Sequence, residues 1–171
     1  MPERVILCSV RVFRQQGRLL SRLAHDLELR LERFTVILTP NRVDFSFEPD
    51  ALEVQGAIVD GRLDRDLFDA DKKAEIEKNL RNEVLSTPSF PRARFQGSFE
   101  DEGARVLVRG QLELRGVERP IEFELVREGE HCRGEVTLVP SRWGIAPYQA
   151  LFGALKLEDR VLVLLDVMTR P

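Results

Sequence analysis

Apolar and polar residues alternate with a period of two through most of the chain. In "HDLELRL" (25–31), His25, Leu27, Leu29 and Leu31 fall on one face, and Asp26, Glu28 and Arg30 on the other. That is the pattern of a half-buried β-strand. At "ERF" the phase slips, and Phe34, Val36 and Leu38 take even positions; a bend or β-bulge near Glu32–Arg33 accounts for the slip. "TPNR" (39–42) signals a turn. Val43, Phe45 and Phe47 then share a face, and Leu52, Val54, Gly56 and Ile58 alternate after a further turn at "EPD". Val106, Val108, Leu112 and Leu114 oppose Arg109, Gln111, Glu113 and Arg115. Ile121, Phe123 and Leu125 oppose Glu122 and Glu124, and Val136 and Leu138 oppose Glu135 and Thr137. The first strand, around "VILCSV", is partly apolar on both faces. The last run, "RVLVLLDV" (160–167), is apolar on both faces apart from Asp166, which predicts cover on both sides.

Strands with one apolar and one charged face, separated by turns, predict an antiparallel sheet. Closing such a sheet removes its aggregation-prone edges. The expected fold is mainly β: a barrel of about eight antiparallel strands, whose interior either fills with side chains or holds one small ligand. One segment breaks the period. "DADKKAEIEKNLRNEVL" (69–85) places Ile76, Leu80 and Val84 four apart, and this predicts a helix with one narrow apolar stripe. Asp69 or Asp71 can cap its start, and Glu75 and Glu77 suit the positive end of its dipole. It should lie on the barrel or across its mouth. "STPSFPRARFQGSF" (86–99) ends the helix at Pro88 and enters a strand through Pro91, with Ala93 and Phe95 facing inward.

Length narrows the picture to a single domain over residues 1–171. Hydrophobic residues make up 43% and charged residues 32%, enough for a core under a solvated surface. The net charge of −3 and pI near 5.6 argue against nucleic acid as a partner, because phosphate binding needs a concentrated basic face. Cys8 and Cys132 are expected to be two reduced thiols. The apolar run before Cys8 is too short for a secretion signal, and no stretch reaches the roughly 20 apolar residues of a membrane span. A cytoplasmic location is expected on those grounds.

Candidate chemistry is sparse. His25 and Asp26 are neighbours on a strand, so they point to opposite faces and cannot pair. His25 reads as an interior histidine, or as a polar group touching a ligand in a cavity. His131–Cys132 has no second His/Cys cluster at ligand spacing, so a metal site is not expected. Asp166 interrupts an apolar strand and is read as facing solvent in preference to an interior pairing, since a buried unpaired carboxylate is costly. No phosphate loop, nucleophile elbow or dinucleotide fingerprint occurs, so no enzyme and no cofactor is expected. Phe45, Phe47, Phe95, Phe123, Trp143, Tyr148 and Phe152 lie on or near strands. The pattern alone favours a solid core over a cavity for these aromatics, because small barrels often fill themselves.

Four motifs in order resemble one family. "FDADKKAEIEKNLRNEVLSTPSFPRARFQGSF" resembles the helix and P-x-A-x-F strand of YceI-like proteins, with Pro91, Ala93 and Phe95 at those positions. "VRGQLELRGVERPIEFELV" is similar to the following hairpin, with Gly110, Leu112, Gly116, Val117, Pro120 and Ile121 matching. "AHDLELRLERF" resembles an early strand and "SRWGI" (141–145) a late turn. The resemblance implies an extended, lipocalin-like, eight-stranded barrel with a helix beside it. It further implies a long apolar ligand, a polyisoprenoid or fatty-acid derivative, in the lumen, and many relatives in the periplasm. Joined to the alternation, it predicts a lumen lined by His25, Leu27, Leu29, Phe45, Phe47, Phe95, Leu112, Phe123, Trp143, Tyr148 and Phe152, with His25 or Tyr148 holding a polar head group. Two other readings stand beside it. One is a filled barrel acting as an interaction module, with "PYQALFGALKL" (147–157) as an exposed apolar surface for a homodimer. The other is an isomerase or hydrolase built on His25.

Overall fold

The structure, a computed structural model, describes residues 4–17, 25–150 and 153–169. The chain forms β1 (Arg4–Arg14), β2 (Asp26–Leu31), β3 (Phe34–Thr39), β4 (Arg42–Phe47), β5 (Leu52–Val59) and β6 (Arg62–Asp64). Helix α1 (Ala70–Asn79) and a π turn over Leu80–Val84 follow. Next come β7 (Ala93–Asp101), β8 (Arg105–Leu114), β9 (Val117–Glu128), β10 (His131–Leu138), a 3-10 turn at Pro140–Trp143, β11 (Gln149–Ala150) and β12 (Leu155–Thr169). Every strand pairing is antiparallel, in the order β3-β4-β7-β8-β9-β10-β12-β1-β2-β5-β6, with β11 on β12.

The sheet curls round because one hairpin is bent. β2 and β3 are a single arm broken at Glu32–Arg33, and β4 and β5 are a single arm broken at Glu48–Ala51. The two arms pair with each other on both sides of the break. One half joins the sheet through β1 and the other through β7. The bend sits where the phase slip predicted it, fastened by Glu32 N donating to Ala51 O at 3.1 Å and by Arg33 bonding Glu48 and Asp50. The expected strand count is corrected here. Among the described residues there are twelve segments instead of eight strands, because each bent arm counts twice and the short β6 and β11 are additions. The eight long strands form a curled antiparallel sheet, the architecture of the expected lipocalin-like barrel.

Local chemistry explains the turns. Asp60–Gly61 and Arg115–Gly116 each hold two successive residues at positive φ, the backbone of a two-residue hairpin turn of type I′. Two glycines face each other across β7 and β8, Gly97 opposite Gly110. A Cβ on either would stand 2.3 Å from a carbonyl oxygen of the neighbouring strand, and Phe95 Cζ lies only 2.8 and 2.7 Å away. The Phe95 ring thus lies over the space the glycines leave, filling a gap in the inner wall.

The helix begins as expected: the Asp69 carboxylate accepts from Lys72 N at 2.8 Å. It contacts β5 and is held there largely by polar contacts. Glu77 Oε1 accepts from Val54 N at 2.9 Å, and Arg81 Nε donates to Asp50 O at 3.1 Å. The α-helix stops six residues short of the expected end, and the chain widens into the π turn, with Leu85 N donating to Leu80 O at 2.9 Å. The outer face of the sheet is charged and paired, as in Arg94–Asp44, Arg109–Glu122 and Arg105–Glu124. Asp166 does face outward, but it is paired: His131 Nδ1 lies 2.8 Å from one oxygen, and Arg133 Nε donates to the other at 2.9 Å. On the outer side of the last run Leu162 and Leu164 are half-buried, and on the strands beside it Leu7 and Val126 are exposed, so the outer face is only partly covered.

Candidate ligand cavity

The inward positions of the strands enclose a cavity of about 460 Å³, within the roughly 300–1,000 Å³ usual for small-molecule sites. The alternation supplies its walls. Ile6, Cys8 and Val10 come from β1, Leu29 and Leu31 from β2, and Val43, Phe45 and Phe47 from β4. Phe95 and Phe99 come from β7, Val108, Leu112 and Leu114 from β8, and Ile121, Phe123 and Leu125 from β9. Val136 and Leu138 of β10 and Val161, Val163, Leu165 and Val167 of β12 complete the ring. From Val106 to Leu114 the wall of β8 runs roughly 27 Å along the strand, at about 3.4 Å per residue. The preference for a solid core is therefore overturned: the aromatic side chains stand around a space instead of filling it.

Two structures finish the cavity at the Leu114 end. Leu80, Val84 and Leu85 reach it from the π turn. Trp143 forms the floor, 1% exposed, with its indole Nε1 donating to Leu112 O at 2.8 Å. The Pro140–Trp143 turn fits because β9 and β10 pair only over Val126–Glu128 and His131–Arg133; beyond Arg133 the ladder ends, and the turn touches β9 and β12. Gly144, at φ 72, closes that turn in the left-handed conformation.

The polar groups in the lining fall at its two ends. Tyr148 meets Asn79, whose Nδ2 donates to the hydroxyl at 3.4 Å. Glu158 is bound by Arg160 at 2.9 Å. At the opposite end Asp101 and Arg127 face the lumen, joined at 2.8 Å, with Cys132 beside Arg127. The hydrogen bond from Arg127, helped by the Gly103 amide, holds the Asp101 carboxyl below the usual range. Burial pushes the Cys8 thiol up to about 11, so it stays protonated at neutral pH. Both cysteines are free. They lie on strands separated by β12 and are offset by two residues along it. Two strand spacings of about 4.8 Å already exceed the roughly 7 Å limit for a disulfide.

Of the eleven residues expected in the lumen, Leu29, Phe45, Phe47, Phe95, Leu112, Phe123, Trp143 and Tyr148 stand in its wall. His25 and Leu27 do not; His25 lies just ahead of β2 and meets Phe68 edge-on, 6.3 Å between ring centroids. Phe152 lies outside the described residues. The segment 147–157 was expected to show apolar residues to solvent, but Pro147, Tyr148 and Leu157 turn into the cavity. Sequence reasoning missed Asp101 and Arg127. Both carry the inward parity of Phe99 and Leu125, and that parity was the available signal. Among the described residues no cluster of His, Cys, Asp and Glu suits a metal ion, and no helix is long and apolar enough to cross a membrane.

Comparison with known proteins places this geometry. No curated protein sequence matches. Similar solved structures include Burkholderia cenocepacia BcnA, at TM-score 0.64 and 12% identity, covering 95% of this chain and 94% of that one. A polyisoprenoid binding domain from Saccharophagus degradans, implicated in plant cell wall breakdown, superposes at TM-score 0.61 and 10% identity, over 97% of this chain and 94% of that one. The Campylobacter jejuni YCEI protein does so at TM-score 0.54 and 10% identity, over 81% of each chain. At such identities the likeness is one of fold. The profile of the YceI-like domain matches residues 24–168, which is most of the curled sheet, and the chain belongs to the YceI-like family.

Proposed function

We propose that this protein holds a long apolar molecule, a polyisoprenoid or fatty-acid-like lipid, in its lumen and carries it without chemical change. The observation that carries the reading is the continuous apolar wall around a 460 Å³ cavity. A filled interaction module has no use for that space. Each ~100 Å² of ligand surface taken from water contributes about 2.5 kcal/mol, before the costs of association are subtracted. The name of the Saccharophagus neighbour supports the class of ligand. The charged groups facing the lumen support carriage over catalysis, because Asp101 and Glu158 are each neutralised by an arginine.

Native mass spectrometry of protein purified gently from the cells that make it tests the reading. A mass increment matching a long-chain lipid, lost on unfolding, is expected. Only bare protein, both as purified and after incubation with prenyl lipids, would sink the proposal.

A further inference from the structure

We propose that the ligand lies with its tail toward Trp143 and its head at the Asp101–Arg127 pair, and that this head is an uncharged group able to donate and accept a hydrogen bond. This rests on the lumen reading above and gives it a direction. The inward face of β7 runs Ala93, Phe95, Gly97, Phe99 and then Asp101; that of β9 runs Ile121, Phe123, Leu125 and then Arg127. Register through β8 brings the two charged ends together, with Asp101 opposite Val106 and Val106 opposite Leu125. The apolar wall thus ends on both strands at one ion pair, and the pair faces the cavity.

The pair suits a neutral head for three reasons. Its members are 48% and 39% exposed, so an incoming group reaches them without opening the sheet. Each keeps hydrogen-bonding capacity: the carboxylate offers about four lone-pair sites and the guanidinium five N–H groups. Together they carry no net charge. An anionic head would meet Asp101 and a cationic one Arg127, whereas a hydroxyl donates to the first and accepts from the second. The other end is arranged differently. There the Tyr148 hydroxyl meets Asn79, Glu158 meets Arg160, and the floor is an indole whose N–H is committed to Leu112 O.

The molecule carries a reporter at each end: its single tryptophan, Trp143, near the tail, and Cys132 beside Arg127 near the head. Cys8 is buried and stays silent to alkylation. Geranylgeraniol, geranylgeranyl phosphate and squalene, a chain without a hydroxyl, serve as probes, with Trp143 fluorescence reporting occupancy. The alcohol is expected to slow iodoacetamide labelling of Cys132 severalfold. It should also bind about tenfold more weakly to Arg127→Leu and Asp101→Asn, while squalene binds those variants as it binds the parent. The phosphate is expected to bind the parent more weakly than the alcohol does. If the alcohol saturates Trp143 but leaves Cys132 labelling unchanged, the orientation is overturned while the lumen reading stands. Tighter binding of the phosphate overturns the neutral head. If no probe alters Trp143 fluorescence, the lumen reading fails and takes this inference with it.

Discussion

At the scale of single residues, the wall depends on a few side chains that touch backbone. Gly110→Ala drives a Cβ to 2.3 Å from Gln96 O and 2.7 Å from Phe95 Cζ. A loss of about 1–3 kcal/mol is expected, read from the midpoint of urea unfolding; an unchanged midpoint would show that the strands can shift freely. Trp143→Phe removes the indole donor to Leu112 O, whose strand stays in its ladder; the loss of that one hydrogen bond should cost about 0.5–1.5 kcal/mol in the same assay. Much of this scale was legible, because period two assigns each residue a face. It does not assign a height along the barrel. His25 shares the parity of Leu29 yet stands ahead of the strand, against Phe68. Asp101 and Arg127 show the converse: both are charged, and their place on the strands puts them in the cavity lining.

At the scale of elements, two devices shape the cavity. The bent hairpin was visible as a slip in phase, since a break at Glu32–Arg33 moves the inward residues from odd to even positions. The helix was visible as a stripe spaced by four, but its π turn was not. A spacing of four fits a regular helix through Val84, whereas the π turn over Leu80–Val84 brings Leu80, Val84 and Leu85 to the lumen. The cap, however, was legible. Asp69→Ala should cost about 0.5–2 kcal/mol, seen as faster amide exchange over residues 70–75; exchange at the parent rate would mean that the contacts of Glu77 and Arg81 hold the helix without its cap.

For the whole molecule, the curled sheet followed from the pattern, but the space inside did not. A solid core and a cavity both ask for apolar inward residues. What separates them is barrel width, set here by the bent hairpin and the splaying of β9 from β10. Paired carboxylates give the fold an acid limit. Burial works against the charge of Asp166, but hydrogen bonds from His131 and Arg133 outweigh it and hold its carboxyl below the usual range; Asp101 is lowered as well. Groups of this kind contribute stability in full above the unfolded value of about 3.9, and the contribution is lost as pH falls through the lower folded value. Urea midpoints should therefore hold from neutrality to about pH 5 and fall below about pH 4. The fall should be shallower for Asp166→Asn; an equal fall would assign the acid limit elsewhere. The claim on which everything turns is that the lumen takes a long apolar ligand. Isothermal titration with geranylgeraniol at several temperatures tests it most directly. Saturable binding of one molecule per chain with a negative heat-capacity change is expected, the mark of apolar surface leaving water; titrations with no saturable heat at any temperature would rule the ligand out.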